Sequence, residues 1–271
     1  MPFGLPDSEQ KLTYGGYLQV EELLRLQQLR SDPAQHDETL FIVIHQVYEL
    51  WFKQLLHELD RLLQHLDRDE VLGATRLLRR CTEIQQVLVA QLRVLETMTP
   101  MDFLSFRDHL MPASGFQSAQ FREIEFVSGL KDEQFARFEL LSEPERERLR
   151  GRLARPSLRD AAFALLRRRG FDAPAPDDAG ADAEARRIAA VAELYRDAER
   201  HYDVFLLAEA LIEYDELLSQ WRFRHVQMVE RVIGGVRGTG GSEGAGYLRG
   251  TMSRRCFPEL WAARTELSAR R

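Results

Sequence analysis

Two histidines stand in settings unlike the rest of the chain. His45 lies in FIVIHQVYELWF, one helical turn after Phe41 and just before Tyr48 on the same face. A neutral imidazole there looks into an apolar, aromatic interior, where it is either a core side chain with buried partners or a group that meets a bound molecule. His225 lies in WRFRHVQMVERVIGG, where Trp221, His225, Met228, Val229 and Val232 share one helical face and Arg222 and Arg224 flank it. A single histidine on an apolar face suits a proximal haem ligand, with one nitrogen on iron and the surrounding face packed on the macrocycle. The arginines beside it suit the propionates. Taken alone, that helix reads more readily as a packed core. His36, His57, His65, His109 and His201 have polar or charged neighbours and read as solvated or capping residues.

Arg107 sits in DFLSFRDHL among Phe103, Leu104 and Phe106. A guanidinium against aromatic rings can clamp a carboxylate with two parallel hydrogen bonds, or it can pair with Asp108 at the surface. The glycine-rich stretch from Gly234 to Gly250 first suggests a phosphate cradle. That reading fails: no Gly-Lys-Ser/Thr occurs, a GxGxxG frame breaks at Glu243, and a helix precedes it instead of a strand. What remains is a loop centred on Thr239, able to fold over a small ligand and offer a hydroxyl and backbone N–H groups.

The elements that carry these residues are helical. Phe41, Ile44, Val47, Tyr48, Trp51, Phe52, Leu55, Leu56 and Leu59 follow the i, i+3, i+4, i+7 spacing of a buried stripe. A second helix is expected over Val71 to Leu95 and a third long one from about Asp197 to Ile233. Alternating strand patterns are hard to find, so the fold class is all-α, a helical bundle core. Thr99 to Gly115 reads as a turn, a short apolar helix and another turn. Asp172 to Ala183, rich in Asp, Ala and Pro, reads as a mobile surface loop. On either side of that loop lie highly charged helical stretches, within residues 130–190. They are expected to form a small inserted helical lobe outside a core made of 1–129 and 191–271.

Composition narrows the function. Lys plus Arg is 37 and Asp plus Glu is 43, a net charge of −6, so the cationic surplus of a nucleic-acid binder is missing. No apolar run approaches the ~18 residues of a membrane span. No leader pattern is read in residues 1–12, so a cytoplasmic protein is expected. Cys81 and Cys256 are too far apart in sequence to suggest a disulfide framework or a zinc motif.

Five blocks, in order, carry a resemblance. They are LTYGGYL (Leu12 to Leu18), HDETLFIVIHQVYELWFKQLLHELD (His36 to Asp60), FLSFRDHLMPASGFQSAQFREIE (Phe103 to Glu125), WRFRHVQMVERVIG (Trp221 to Gly234) and GTGGSEGAGYL (Gly238 to Leu248). Together they resemble the tryptophan 2,3-dioxygenase family of haem enzymes. The resemblance implies an all-α homotetramer with one haem b per subunit. It also implies insertion of both atoms of O2 across the indole C2–C3 bond of L-tryptophan to give N-formyl-L-kynurenine, the first step of the kynurenine pathway. By the same likeness His225 is the iron ligand, with Trp221 and Arg222 beside the haem, and His45 accepts a hydrogen bond from the indole N–H. Phe41 walls the indole, an apolar group that Phe106 also suits by its type, while Arg107 and Thr239 hold the carboxylate and ammonium groups. Ser114 and Gly115 border the oxygen-binding face, and Tyr14, Tyr17 and Leu18 complete the pocket of a neighbouring subunit. Phe103 stands where some members carry a tyrosine, so a hydroxyl contact to the carboxylate is lost here. Two rivals remain at this stage: a haem-based sensor without turnover, and a structural helical protein whose histidines are core residues.

Overall fold

The computed structural model describes residues 12–236 and 245–269, and among them there is no strand. A short pair, α1 (Tyr14–Leu18) and α2 (Val20–Leu23), precedes the long helix α3 (His36–Asp67) and its neighbour α4 (Val71–Leu95). Shorter helices follow: α5 (Pro100–Arg107), α6 (Ala119–Ser128), α7 (Glu143–Ala154), α8 (Leu158–Arg168) and α9 (Ala181–Arg196). The second long helix, α10 (Tyr202–Ile233), leads to α11 (Ala245–Thr251) and α12 (Pro258–Ala269). No described helix is long and apolar enough to cross a membrane.

The core is a three-helix layer with α4 in the middle, packed on both α3 and α10. The stripe read from the sequence is the buried side of α3: Ile44, Tyr48, Phe52, Leu55, Leu59, Leu62 and Leu66 are all buried there. Each such side chain contributes about 1.5–3 kcal/mol when fully removed from water. Hydrogen bonds fix the directions. Tyr48 Oη donates to the Leu88 carbonyl (2.8 Å) and Gln91 Nε2 to the Ile44 carbonyl (3.1 Å), so α3 and α4 are antiparallel. Gln85 Nε2 donates to the Tyr214 carbonyl (3.3 Å) and Arg224 pairs with Glu96 (3.0 Å), so α10 runs parallel to α4. It follows that α3 and α10 are antiparallel, and the N-terminal half of α3 lies at the same end of the layer as the C-terminal half of α10.

Local chemistry places the shorter helices at that end. Thr99 and Asp102 form a capping box around Pro100 and start α5. Ser118 caps α6 by accepting from the Phe121 N–H (3.2 Å). Asp215, wholly buried on α10, accepts from Cys256 N and Trp261 Nε1 (both 2.9 Å) and ties the C-terminal segment back to the layer.

Residues 130–190 divide between two apolar clusters. Leu158, Phe163, Leu165 and Leu166 on α8, and Val191 and Leu194 from the adjoining turns of α9, belong to the main core. Phe135, Leu141 and Leu149 form a smaller cluster with Ala119 and Phe126 of α6. The loop after α8, expected to be mobile, is pinned. Arg167 donates to the Ala173 carbonyl (2.9 Å), and Arg187 donates to the carbonyls of Ala175 (2.8 Å) and Asp178 (3.1 Å).

Candidate functional site

Aromatic rings bring α3 and α10 together. Trp221 lies against Tyr48 (6.2 Å between centroids) and Phe52 (6.5 Å), and Phe121 of α6 packs on it at 4.8 Å. One turn onward on each antiparallel helix lead His45 and His225, which therefore face a common space. His225 stacks on Trp221 with rings 5.0 Å apart and 8° from parallel. Burial pushes the His225 imidazole down to about 4, with a further contribution from His45. Its ring is neutral at physiological pH, and a lone pair is available for a metal.

His45 is half-buried and its tautomer follows from one contact. Nδ1 lies 2.7 Å from the Phe41 carbonyl oxygen, which can only accept, so Nδ1 carries the hydrogen. Burial holds the imidazole below its ordinary value, although the Phe41 carbonyl and the charge of Glu49 favour protonation. Neutral His45 therefore presents Nε2 as a hydrogen-bond acceptor. Phe41 lies 4.1 Å from the His45 ring and 5.6 Å from both Phe103 and Phe106 of α5, which touch each other at 5.4 Å. These rings, two pairs of them edge-to-face, make an apolar wall beside an imidazole acceptor. Arg107 follows Phe103 by one helical turn, which puts a half-buried guanidinium at the rim of that wall.

Ser114 caps the 3-10 turn Gly115–Gln117, and a Cβ built at Gly115 meets nothing within 4 Å, so that position borders open space. Tyr14, Tyr17 and Leu18 are not brought to this pocket; they stand 80%, 70% and 45% exposed on the N-terminal arm. Thr239 lies outside the described residues. A separate cleft of about 430 Å³ lies between the α4–α5 corner and Arg231 of α10, and neither histidine lines it.

Arg222 is buried beside this face, and its Nη2 donates to Glu125 (3.0 Å) and its Nη1 to the Arg254 carbonyl (3.2 Å). Arg122, also buried, donates to the same Glu125 carboxylate (2.6 Å). Two guanidiniums thus share one carboxylate, which leaves a positive charge in excess. Arg122 Nε, Arg222 Nε and Tyr247 Oη are buried without a hydrogen-bond partner. Arg122 and Tyr247 both lean on Phe116, each at 5.1 Å from its ring. Buried donors without acceptors cost about 1–3 kcal/mol each, so these three atoms call for acceptors that the described residues do not supply.

Comparison with known proteins accords with this arrangement. The tryptophan 2,3-dioxygenase family profile matches residues 4–174 and 177–267. The chain belongs to the tryptophan 2,3-dioxygenase family. A tryptophan 2,3-dioxygenase of Nocardioides sp. is 49% identical over 267 residues, covering 95% of each chain. One of Caulobacter vibrioides is 45% identical over 266 residues, covering 95% of this chain and 99% of the relative. One of Herpetosiphon aurantiacus is 47% identical over 264 residues, with coverage of 95% and 99%.

The family is haem-dependent, and the residues present fit that group. His225, a neutral imidazole on an apolar face, would hold the iron of that group, and the Nε atoms of Arg122 and Arg222 with the Tyr247 hydroxyl, which have no acceptor, would donate to its carboxylates. Sequence reasoning singled out Arg222 but missed Arg122 and Tyr247. In FREIEF, Arg122 has the i, i+3 spacing of an ordinary surface pair with Glu125, and nothing local marks it as buried.

Proposed function

We propose that this chain holds one haem b per subunit through His225 and uses it to convert L-tryptophan and O2 to N-formyl-L-kynurenine, the opening step of tryptophan breakdown. The observation that carries the site assignment is geometric: His45 and His225 stand one turn from the Tyr48–Trp221 contact of the antiparallel α3 and α10, beside the Phe41–Phe103–Phe106 wall. Bound haem supplies the activation of dioxygen that an indole ring needs in order to be cleaved. The protein supplies orientation, charge recognition and exclusion of water.

In this reading the indole lies against Phe41, Phe103 and Phe106, and its N–H donates to His45 Nε2. That bond holds the indole ring in one orientation, a positioning role. Arg107 takes the carboxylate through its planar fork, and Thr239 of the glycine loop meets the ammonium end. Phe103 adds no hydroxyl, so the carboxylate rests on Arg107 and Thr239. Ser114 and Gly115 border the oxygen side, where the absent Cβ leaves room for a diatomic molecule. Trp221 sets the plane of His225, and Arg122, Arg222 and Tyr247 receive the propionates.

The working form in this reading is a cytoplasmic homotetramer in which Tyr14, Tyr17 and Leu18 cover a neighbour's pocket. Residues 130–190 are an insertion in chain order whose α8 and α9 buttress the catalytic layer.

The test is spectroscopic. The purified protein reconstituted with haem is expected to show a Soret band and, after reduction and admission of air, formylkynurenine absorbance that grows only with L-tryptophan. His225→Ala is expected to lose most bound haem and all turnover. A haem-loaded, active His225→Ala protein would overturn the assignment.

A further inference from the structure

We infer that Glu49 is a positioning residue that holds the Ser114–Gly115 turn at its working distance from His45. The inference rests on placing His45 and that turn in the substrate and oxygen site. Glu49 is one helical turn after His45 on α3 and half-buried. Ser118 Oγ donates to its Oε1 (2.6 Å), and Gln120 Nε2 donates to its Oε2 (2.7 Å) and to its backbone carbonyl (3.0 Å). No described Lys or Arg forms an ion pair with it. With no cation to pair with, the carboxylate commits both of its oxygens to the start of α6.

The geometry transmits that grip. Ser118 Oγ accepts from Phe121 N–H (3.2 Å) while donating to Glu49, so one hydroxyl both caps α6 and binds α3. Between Ser118 and Ser114 lies only the 3-10 turn, closed by Gln117 N to the Ser114 carbonyl (2.9 Å) and Ser118 N to the Gly115 carbonyl (3.1 Å). Turn and cap move as one body. A shift of Ser118 away from Glu49 is therefore a shift of Ser114 and Gly115 away from His45. The same cap seats Phe121 on Trp221, the ring that stacks on His225. Glu49 thereby fixes the width of the space between the histidine on α3 and the turn that borders the oxygen side.

Glu49→Ala and Glu49→Gln holoenzymes test this, compared with the parent for haem content, steady-state kinetics and backbone amide exchange. In Glu49→Ala, with haem content retained, KM for tryptophan is expected to rise roughly tenfold with a smaller change in kcat, as misplacement of a binding wall requires. Exchange at the amides of residues 115–118 is expected to quicken in the same variant. Glu49→Gln, whose amide oxygen still accepts from Ser118, is expected to recover most of both. Parent-like KM and exchange in Glu49→Ala would overturn the inference. So would a loss that tracks haem content and melting temperature in both variants alike, because that marks a general structural role. A parent protein without a Soret band or turnover would instead bring down the functional assignment itself.

Discussion

His45 shows how a single hydrogen bond decides what a side chain can do. Its Nδ1–H is fixed on the Phe41 carbonyl at 2.7 Å, so the neutral ring has only Nε2 to offer. A neutral hydrogen bond to an indole N–H is worth about 0.5–1.5 kcal/mol, a factor of roughly 2 to 10 in kcat/KM. His45→Ala is therefore expected to keep its haem and lose about that factor with tryptophan. With 1-methyltryptophan, which has no N–H to donate, the parent and variant should differ little. Loss of a thousandfold or more in His45→Ala with haem intact would mean that the imidazole moves a proton and does not merely hold the ring. The setting of His45 was legible in the sequence, since FIVIHQVYELWF puts it on an aromatic face. Its tautomer was not, because that depends on whether the ring folds back on its own helix. The donors of Arg122 and Tyr247 were equally hidden: each looks ordinary among its neighbours, and only the tertiary fold buries both around Phe116.

At the scale of elements, periodicity carried most of the fold. The helix expected over Val71 to Leu95 has those bounds, and the third long helix starts a few residues late because Asp197 to His201 is a turn. What composition misjudged was charge. The stretch 172–180 reads as loose because it is acidic and Pro-rich, yet arginines of the flanking helices α8 and α9 satisfy its carbonyls, contacts that composition alone does not reveal. Glu38 is another such clasp, at the head of α3. Wholly buried, it accepts from Arg30 N (2.7 Å), Ser31 N (3.0 Å) and Ser31 Oγ (2.5 Å), fixing the chain three residues before Phe41. Burial alone would raise its pKa; the Ser31 hydroxyl, the two amides and the nearby His109 outweigh burial and hold it below 4.5. A carboxylate with a depressed folded-state pKa stabilises the protein above its unfolded value, and that contribution disappears as pH falls through the folded value. Glu38→Gln leaves buried donors short of an acceptor and is expected to cost about 1–3 kcal/mol at neutral pH. The gap from the parent in denaturant melts should stay constant down to about pH 4.5 and shrink below it. A gap that is unchanged at low pH would show that the charge of Glu38 contributes nothing.

The whole molecule has one part that its own core does not explain. No residue of α1 or α2 is buried, and Leu12, Tyr14 and Tyr17 stand 78%, 80% and 70% exposed. Helices of one turn are not stable alone in water, and an arm carrying this much apolar surface gains stability only when another surface covers it. Its base is fixed: Gln46 Nε2 donates to the Leu26 carbonyl (3.1 Å), Gln27 Nε2 donates to Gln46 Oε1 (2.6 Å), and Glu38 holds Arg30 and Ser31. The arm therefore leaves the chain from one defined place on α3, next to the turn that carries His45, and in the proposed tetramer its aromatic tip closes a pocket in a second copy. Deleting residues 1–19 removes that tip and leaves every contact of the base. The truncated protein is expected to keep its helical circular dichroism and its melting temperature. Its KM for tryptophan should rise at least tenfold, because a pocket open on one side admits water against the indole and loses apolar contact. Sedimentation should show a weaker tetramer, and adding an inactive His225→Ala chain with an intact arm should restore part of the lost activity where the two chains mix. That rescue separates an arm lent between subunits from one that serves its own chain. A truncated protein with parent-like KM, or one that mixed tetramers fail to rescue, would mean that the pocket is complete within each subunit.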